Sequence, residues 1–135
     1  MPGLQELRLM LRAEDALAGT VLLLRGGPDT VKKLGKHAQR TAQAWSLDGQ
    51  PLLGISVFAV LDAPADELLR SRLANYRVVH RPIVRQLYEA QFQLLPTFRH
   101  PHFTVRLQRA DDPELSQLLA TLGPSWPNPE YAKRR

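Results

Sequence analysis

Two histidines stand among arginines in the most basic third of the chain. Residues 77–109 contain six arginines and one acidic residue, Glu89, so nearly all of the net charge of +5 lies in this stretch. A pair of imidazoles can supply the general base and the general acid of phosphodiester cleavage, while guanidiniums stabilise the charge that develops on the phosphate oxygens. The alternative is that each histidine is an ordinary surface or strand-end residue. The catalytic hypothesis names four residues: His80, His102, Arg99 and Arg106.

One short motif in this group resembles a known signature. His102-Phe103-Thr104-Val105 resembles one half of the pattern of the 2H phosphoesterases, which carry two His-x-Thr/Ser-x motifs facing each other across a cleft. The resemblance covers four residues and implies phosphoester chemistry by paired histidines. The chain departs from the pattern at the second motif, because His80-Arg81-Pro82-Ile83 lacks the hydroxyl residue.

A second pair of residues, Arg25 and Ser56, stands on two successive apolar segments. Leu24-Arg25-Gly26-Gly27 ends the first segment, and Ser56 lies inside the second. This order is similar to the opening of the Arg-Ser-Glu ADP-ribosyltransferases, and the resemblance implies that Arg25 and Ser56 bind NAD. The later glutamate motif of that family has no counterpart in the chain. Gly26-Gly27 before a helix start can also hold an anion through backbone N–H groups, or simply form a turn.

The best-defined helix of the chain carries a basic face. Apolar residues recur at helical spacing from Thr30 to Trp45, and cations fall at i, i+3 and i+7 on the opposite side. Several cations on one face can neutralise consecutive phosphates of RNA or DNA. The alternative is an ordinary solvated helix face. The nucleic-acid hypothesis names five residues: Lys33, Lys36, Arg40, Arg81 and Arg85.

Apolar patterning predicts the elements that hold these residues. Alternating or continuous apolar runs predict strands over 7–12, 20–25, 53–61, 76–81, 92–95 and 102–108. Apolar spacing predicts a helix over 30–45, capped by Asp29 or Thr30, and further helices that start near 64, 82 and 112. Because strands alternate with helices, the pattern favours a mixed or mostly parallel sheet.

These elements predict an α/β (or α+β) fold. We expect a single compact domain over residues 1–124, with a mixed sheet of about five strands covered by about four helices. The stretch 125–135 is Pro-rich and basic, which is typical of a loosely packed tail. With 135 residues, 44% of them apolar, the chain is long enough for one proper core.

Composition excludes several classes of site. The chain has no cysteine, so disulfides, thiolate zinc sites and cysteine nucleophiles are ruled out. His100 and His102 have no acidic residue nearby in sequence, so we expect no metal. The N-terminus lacks a basic leader with an apolar run, and no run approaches the roughly 20 apolar residues needed to span a bilayer. We therefore expect a cytoplasmic protein without membrane contact.

The functional expectation is a small, basic, bacterial-type protein that binds or acts on nucleic acid or another phosphate-bearing substrate. One form is a toxin-like, RNA-directed hydrolase of the toxin–antitoxin kind, which uses no cofactor and has an acidic antitoxin as its partner. Whether the chain is an enzyme stays open. The alternatives are an ADP-ribosyltransferase-like enzyme that uses NAD, and a non-catalytic accessory subunit that docks through its tail and Trp126.

Overall fold

Strand β1 (Leu23–Gly27) is a central strand of the main sheet, with a neighbouring strand on each side. The computed structural model describes residues 19–132, so the strand predicted over 7–12 lies outside the described residues. Leu23 and Leu24 belong to two different apolar clusters, and both are fully buried. Successive side chains of a strand point to opposite faces, so this continuous apolar run needs cover on both sides.

Six strands form the main sheet, and four helices pack against it. The other strands are β4 (Gly54–Ala59), β5 (Val78–His80), β6 (Gln93–Pro96), β7 (His102–Arg106) and β8 (Ser125–Pro127), and the order across the sheet is β6-β7-β4-β1-β5-β8. β2 (Ser46–Leu47) and β3 (Gln50–Pro51) form a separate hairpin. The helices are α1 (Val31–Ala44), α2 (Ala65–Arg72), α3 (Val84–Glu89) and α4 (Asp112–Leu122). The predicted α/β class is confirmed, with one strand more in the main sheet than expected.

All five pairings within the main sheet are antiparallel, which differs from the mixed sheet that was expected. Because β1 and β4 are antiparallel, the chain enters β4 at the end of the sheet at which it left β1. Between the two strands, α1 places His37 against Ser56 and Trp45 against Phe98. The alternation of strands and helices in a sequence does not specify which end the chain re-enters.

The helices form a layer on each face of the sheet. On one face, α1, α3 and α4 cover the main core, with residues such as Leu34, Leu87 and Leu118 packed against the strands. On the other face, α2 covers a smaller cluster through Leu68 and Leu69. No helix within residues 19–132 is both long enough and apolar enough to cross a membrane.

The N-cap of α1 leaves the preceding residue, Asp29, available for other contacts. Thr30 is the N-cap, and its hydroxyl accepts a hydrogen bond from the Lys33 N–H at 3.1 Å. Asp29, which could also have capped the helix, is therefore free to bond elsewhere. The helix extends to Ala44, within one residue of the predicted bounds.

Part of the predicted tail is structured. Ser125–Pro127 forms the edge strand β8, which pairs with β5. Asn128 is buried, and its amide donates to the carbonyls of Leu73 and Tyr76 at 2.9 and 2.8 Å. This segment is thus tied to the chain that follows α2.

Candidate functional site

The sheet opens where β1 and β4 part. The two strands pair over two residues, and beyond the pair of Leu24 with Phe58 their backbones separate. Side chains then satisfy the backbone of Ser56. Arg25 Nη1 donates to the Ser56 carbonyl at 2.8 Å, and the Ser56 N–H donates to His37 Nε2 at 3.3 Å. Because buried backbone groups need partners, these two side chains take the place of the missing ladder and hold the gap open.

Arg25 is a buried charge with a matched partner. Its Nε and Nη2 atoms donate to the two carboxylate oxygens of Asp29 at 2.7 and 3.1 Å. Both side chains are nearly inaccessible to solvent, at 7% and 4% exposure. A bidentate pair of this kind is rigid, and neither charge is left over to bind another group strongly. Arg25 therefore fixes the base of the site.

His37 is neutral and faces the Ser56 hydroxyl. Burial, followed by the charges of Arg25 and Arg40, lowers the pKa of His37 to about 4. Nε2 accepts from the Ser56 N–H, and it lies 3.0 Å from Ser56 Oγ, which can donate to the same atom. The imidazole thus positions the serine hydroxyl at the gap.

The Ser56–His37 pair has the separation of a nucleophile and its base, but its electrostatics do not fit that role. A base that activates serine must become an imidazolium, and a carboxylate usually stabilises it. Here the neighbour of the ring is Arg25, whose Nη2 lies 3.5 Å from His37 Nδ1. A cation at that place opposes the charge that catalysis would require.

His80 lies behind this site and is buried at 4% exposure. Its Nε2 accepts from the Asp29 N–H at 3.2 Å, and its Nδ1 donates to the Gly123 carbonyl at 3.0 Å. Gly27 makes room for the ring, because a Cβ there would come within 2.8 Å of it. Both ring nitrogens are thus used to tie β5 to the start of α1 and the end of α4.

A cavity of about 340 Å³ opens over Arg25 and Ser56, and we call it the basic cleft. Phe58 and Tyr76 contribute aromatic walls. Asp29 is the one carboxylate among the described residues that line it, and its charge is matched by Arg25. The other wall is the exposed face of α1, which supplies three cations: Lys33, Lys36 and Arg40.

His102 belongs to a neighbouring aromatic group. Its ring lies 5.3 Å from that of Phe58 and 5.0 Å from that of Phe98, and Phe98 lies 5.0 Å from Trp45. We call these four rings the aromatic row. His102 Nδ1 donates to the Thr97 carbonyl at 3.1 Å, and burial lowers the pKa of His102 below its usual value of 6.5.

The four residues of the catalytic hypothesis are not brought together. His80 and His102 are separated by β1 and β4, which corresponds to three strand spacings, on the order of 14 Å. Arg99 is exposed in the loop before β7. Arg106 lies at the far end of β7, where it lines a different cavity. That these four residues act together on one phosphodiester stays a prediction, and the structure gives them no shared cleft.

The residues of the nucleic-acid hypothesis divide into two groups. The three cations of α1 line the basic cleft. Arg81 instead stacks over Trp126 at 4.5 Å, and Arg85 is exposed on α3. Arg25 and Ser56, named from the transferase resemblance, are in direct contact within the cleft.

The cavity that Arg106 lines is larger, about 1090 Å³, but its charges are mixed. Arg106 and Arg109 share it with Asp111 and Glu114. The Glu114 carboxylate accepts three backbone N–H groups, from residues 108–110, and so closes a loop. This cavity lacks the convergence of one sign of charge that marks the basic cleft.

Sequence reasoning missed His37, Asp29 and Tyr76. His37 had an available signal, because it lies one turn after Lys33 on the basic face of α1. Asp29 was interpreted as a possible helix cap, and Tyr76 as the start of a strand. Neither had a local signal for the cleft, since both reach it through contacts distant in sequence.

No group of three His, Asp or Glu side chains within residues 19–132 is arranged to hold a metal ion. Comparisons with protein-family models, with curated proteins and with solved structures gave no match for this chain. The geometry of the basic cleft is therefore the best guide to what the chain binds.

Proposed function

We propose that the chain binds a phosphate-bearing ligand of nucleotide size in the basic cleft. The observation that carries this proposal is the convergence of three α1 cations and two aromatic rings on one cavity whose single carboxylate is already paired. Cations match the phosphate charge, and aromatic walls match the flat face of a base.

The charge of α1 is better explained by an anionic ligand than by exposure to solvent alone. The helix contains four cationic residues and no acidic one, whereas a solvated helix usually mixes the two signs. Lys33 lies in the first turn, where the helix dipole disfavours a cation by about 0.3–1 kcal/mol. An anion in the basic cleft would be attracted both by these side chains and by the end of the helix.

The size of the basic cleft sets the class of ligand. A volume of about 340 Å³ lies at the small end of the range for small-molecule sites. Phe58 and Tyr76 line it together with the cations, so a base and its phosphates can be bound at the same time. This arrangement favours one nucleotide unit over a duplex, whose bases are already stacked.

The test is calorimetric titration with a matched series of ligands: ADP, adenosine and inorganic pyrophosphate. We expect ADP to bind more tightly than either adenosine or pyrophosphate. Adenosine keeps only the base that the aromatic walls bind, and pyrophosphate keeps only the phosphates that the cations bind. Equal affinity for adenosine and ADP would contradict the role of the cations.

The chain offers a matched control for charge. Lys36 lines the basic cleft, whereas Arg85, exposed on α3, does not. At 0.15 M salt the screening length is about 8 Å, so a cation on another helix reports mainly the effect of net charge. We expect Lys36→Glu to weaken ADP binding at least tenfold and Arg85→Glu to weaken it much less. Equal losses would reduce the site to a general basic surface.

An NAD-using transferase is a second candidate, favoured by the contact between Arg25 and Ser56. Against it, three of the five donors of the guanidinium are already used, and the side chain is nearly buried. The test is to incubate the protein with NAD and follow nicotinamide release by mass spectrometry. Release that disappears in Ser56→Ala would support this candidate, and no release would remove it.

A further inference from the structure

The aromatic row begins inside the basic cleft and ends outside it. Phe58 is one wall of the cleft, and successive ring centroids lie 5.3 and 5.0 Å apart through His102 to Phe98. Both contacts are edge to face, with interplanar angles of 81° and 88°. Trp45, at the end of α1, supports Phe98 from the other side.

Phe98 is placed at some energetic cost. It is 53% exposed, the largest exposed fraction among the large apolar side chains of residues 19–132. Its backbone has a φ of +56°, in the left-handed region that bulky residues rarely adopt. Such conformations are energetically unfavourable and concentrate at functional sites. Nearby, the Trp45 indole N–H is buried and finds no acceptor among residues 19–132, which adds a second local cost.

Cations accompany the row beyond the cleft. The Arg72 guanidinium lies 5.5 Å from the centre of the Phe58 ring, and Arg99 is exposed next to Phe98. The carboxylate of Asp62 is close to this loop but is bonded to His100 at 2.8 Å. Aromatic rings with interleaved cations are the arrangement that binds bases by stacking and phosphates by charge.

We infer that the aromatic row is a second base-binding subsite, and that the ligand of the basic cleft is one unit of a single-stranded polynucleotide whose next bases stack on Phe98. This inference rests on the proposed function, since the cleft must bind the first nucleotide. The α1 cations and Arg72 then lie along the phosphate backbone between the two subsites. An apolar protein partner fits less well, because the row offers a single strongly exposed ring flanked by charges.

The experiment compares a 5′-phosphorylated mononucleotide with a 5′-phosphorylated tetranucleotide, by calorimetry and fluorescence anisotropy. We expect the tetranucleotide to bind at least tenfold more tightly, with affinity that falls as salt rises because the added phosphates release counterions. Oligouridine and oligothymidine arms distinguish RNA from DNA.

Substitutions at two aromatic residues provide the matched comparison. Phe98→Ala should weaken tetranucleotide binding by about 5- to 150-fold, the range for one stacked base, and leave mononucleotide binding unchanged. Phe98→Tyr keeps an aromatic ring and should bind the tetranucleotide as tightly as the parent protein. Trp126→Ala removes an aromatic ring of similar exposure at the opposite edge of the sheet, so it should change neither affinity.

The outcomes separate the two proposals. Mononucleotide binding with no gain from the tetranucleotide, or an unaffected Phe98→Ala variant, would overturn the second subsite and leave the cleft intact. Absence of binding by any phosphate ligand would overturn both. A melting curve for each variant excludes unfolding as the cause of a loss.

Discussion

The guanidinium of Arg25 crosses the gap between β1 and β4 and donates to the carbonyl of Ser56 at 2.8 Å. The same group is bonded to both carboxylate oxygens of Asp29. The opening in the sheet is therefore held by a buried charge pair, and four measurements test how it is built.

Removal of the Arg25 side chain should destabilise the fold strongly. Arg25→Ala leaves a buried carboxylate on Asp29 without a partner, and the expected loss in the free energy of unfolding is about 3–5 kcal/mol. Urea denaturation measures it. The double variant Arg25→Met with Asp29→Asn should lose much less, because no charge is left unpaired. Equal losses in the two proteins would show that the pair is not the cause.

Acid should destabilise the protein through His37. The pKa of His37 is about 4 in the folded chain, because of burial and the neighbouring Arg25 and Arg40, against 6.5 in the unfolded chain. Between these values only the unfolded chain takes up the proton, so stability is full above pH 6.5 and falls as pH drops towards 4. Allowing for solvent screening of a partly exposed ring, the expected loss is about 1 kcal/mol.

Urea midpoints between pH 7.5 and pH 4.5 test this dependence. His37→Gln should flatten the curve, since the amide does not titrate in this range. The lowered pKa of His102 acts in the same direction, so the double variant with His102→Gln should be flatter still. A His37→Gln protein with the full acid sensitivity of the parent would contradict the assignment.

His80→Ala should lower the free energy of unfolding. The change leaves the Asp29 N–H and the Gly123 carbonyl without their partner, for an expected loss of about 3 kcal/mol. His100→Ala is the control, because that imidazole is 59% exposed and its contact with the exposed Asp62 carboxylate should contribute less than about 1 kcal/mol. A His80→Ala protein that melts like the parent but loses an activity would instead favour the catalytic hypothesis.

Gly27→Ala should loosen the same corner. The added Cβ would come within 2.8 Å of the His80 ring, and the expected cost of overpacking is about 1–3 kcal/mol. Gly35→Ala, within α1, is the comparison. Its Cβ would lie 3.3 Å from Leu115 Cδ1, and the gain in helix propensity of about 1 kcal/mol should offset that crowding. Thermal melting temperatures of the two variants and the parent test this difference. A Gly27→Ala protein as stable as the parent would contradict the crowding against His80.

The local parts of the structure could be predicted from the sequence, and the non-local parts could not. The bounds of α1 follow from an apolar stripe and a cap, and β1 follows from an apolar run, because both depend on neighbours along the chain. The sheet order depends on where the chain re-enters after α1. That order separates His80 from His102 and brings Arg25 to Ser56.

The choice of cap also affected the site. Thr30 and Asp29 can both cap a helix, and only the fold assigns the cap to Thr30 and the ion pair to Asp29. His37 could have been found from its place among the α1 cations. Its low pKa could not, because it arises from burial against Ser56 and Arg25.

The segment after α4 has a consequence for how the protein is handled. Asn128 anchors the carbonyls of Leu73 and Tyr76, and both residues line the basic cleft although Asn128 itself does not. Residues 125–132 therefore brace one wall of the cleft from behind. If the proposed function holds, trimming the chain to residue 124 should weaken ligand binding although it removes no residue that lines the cleft.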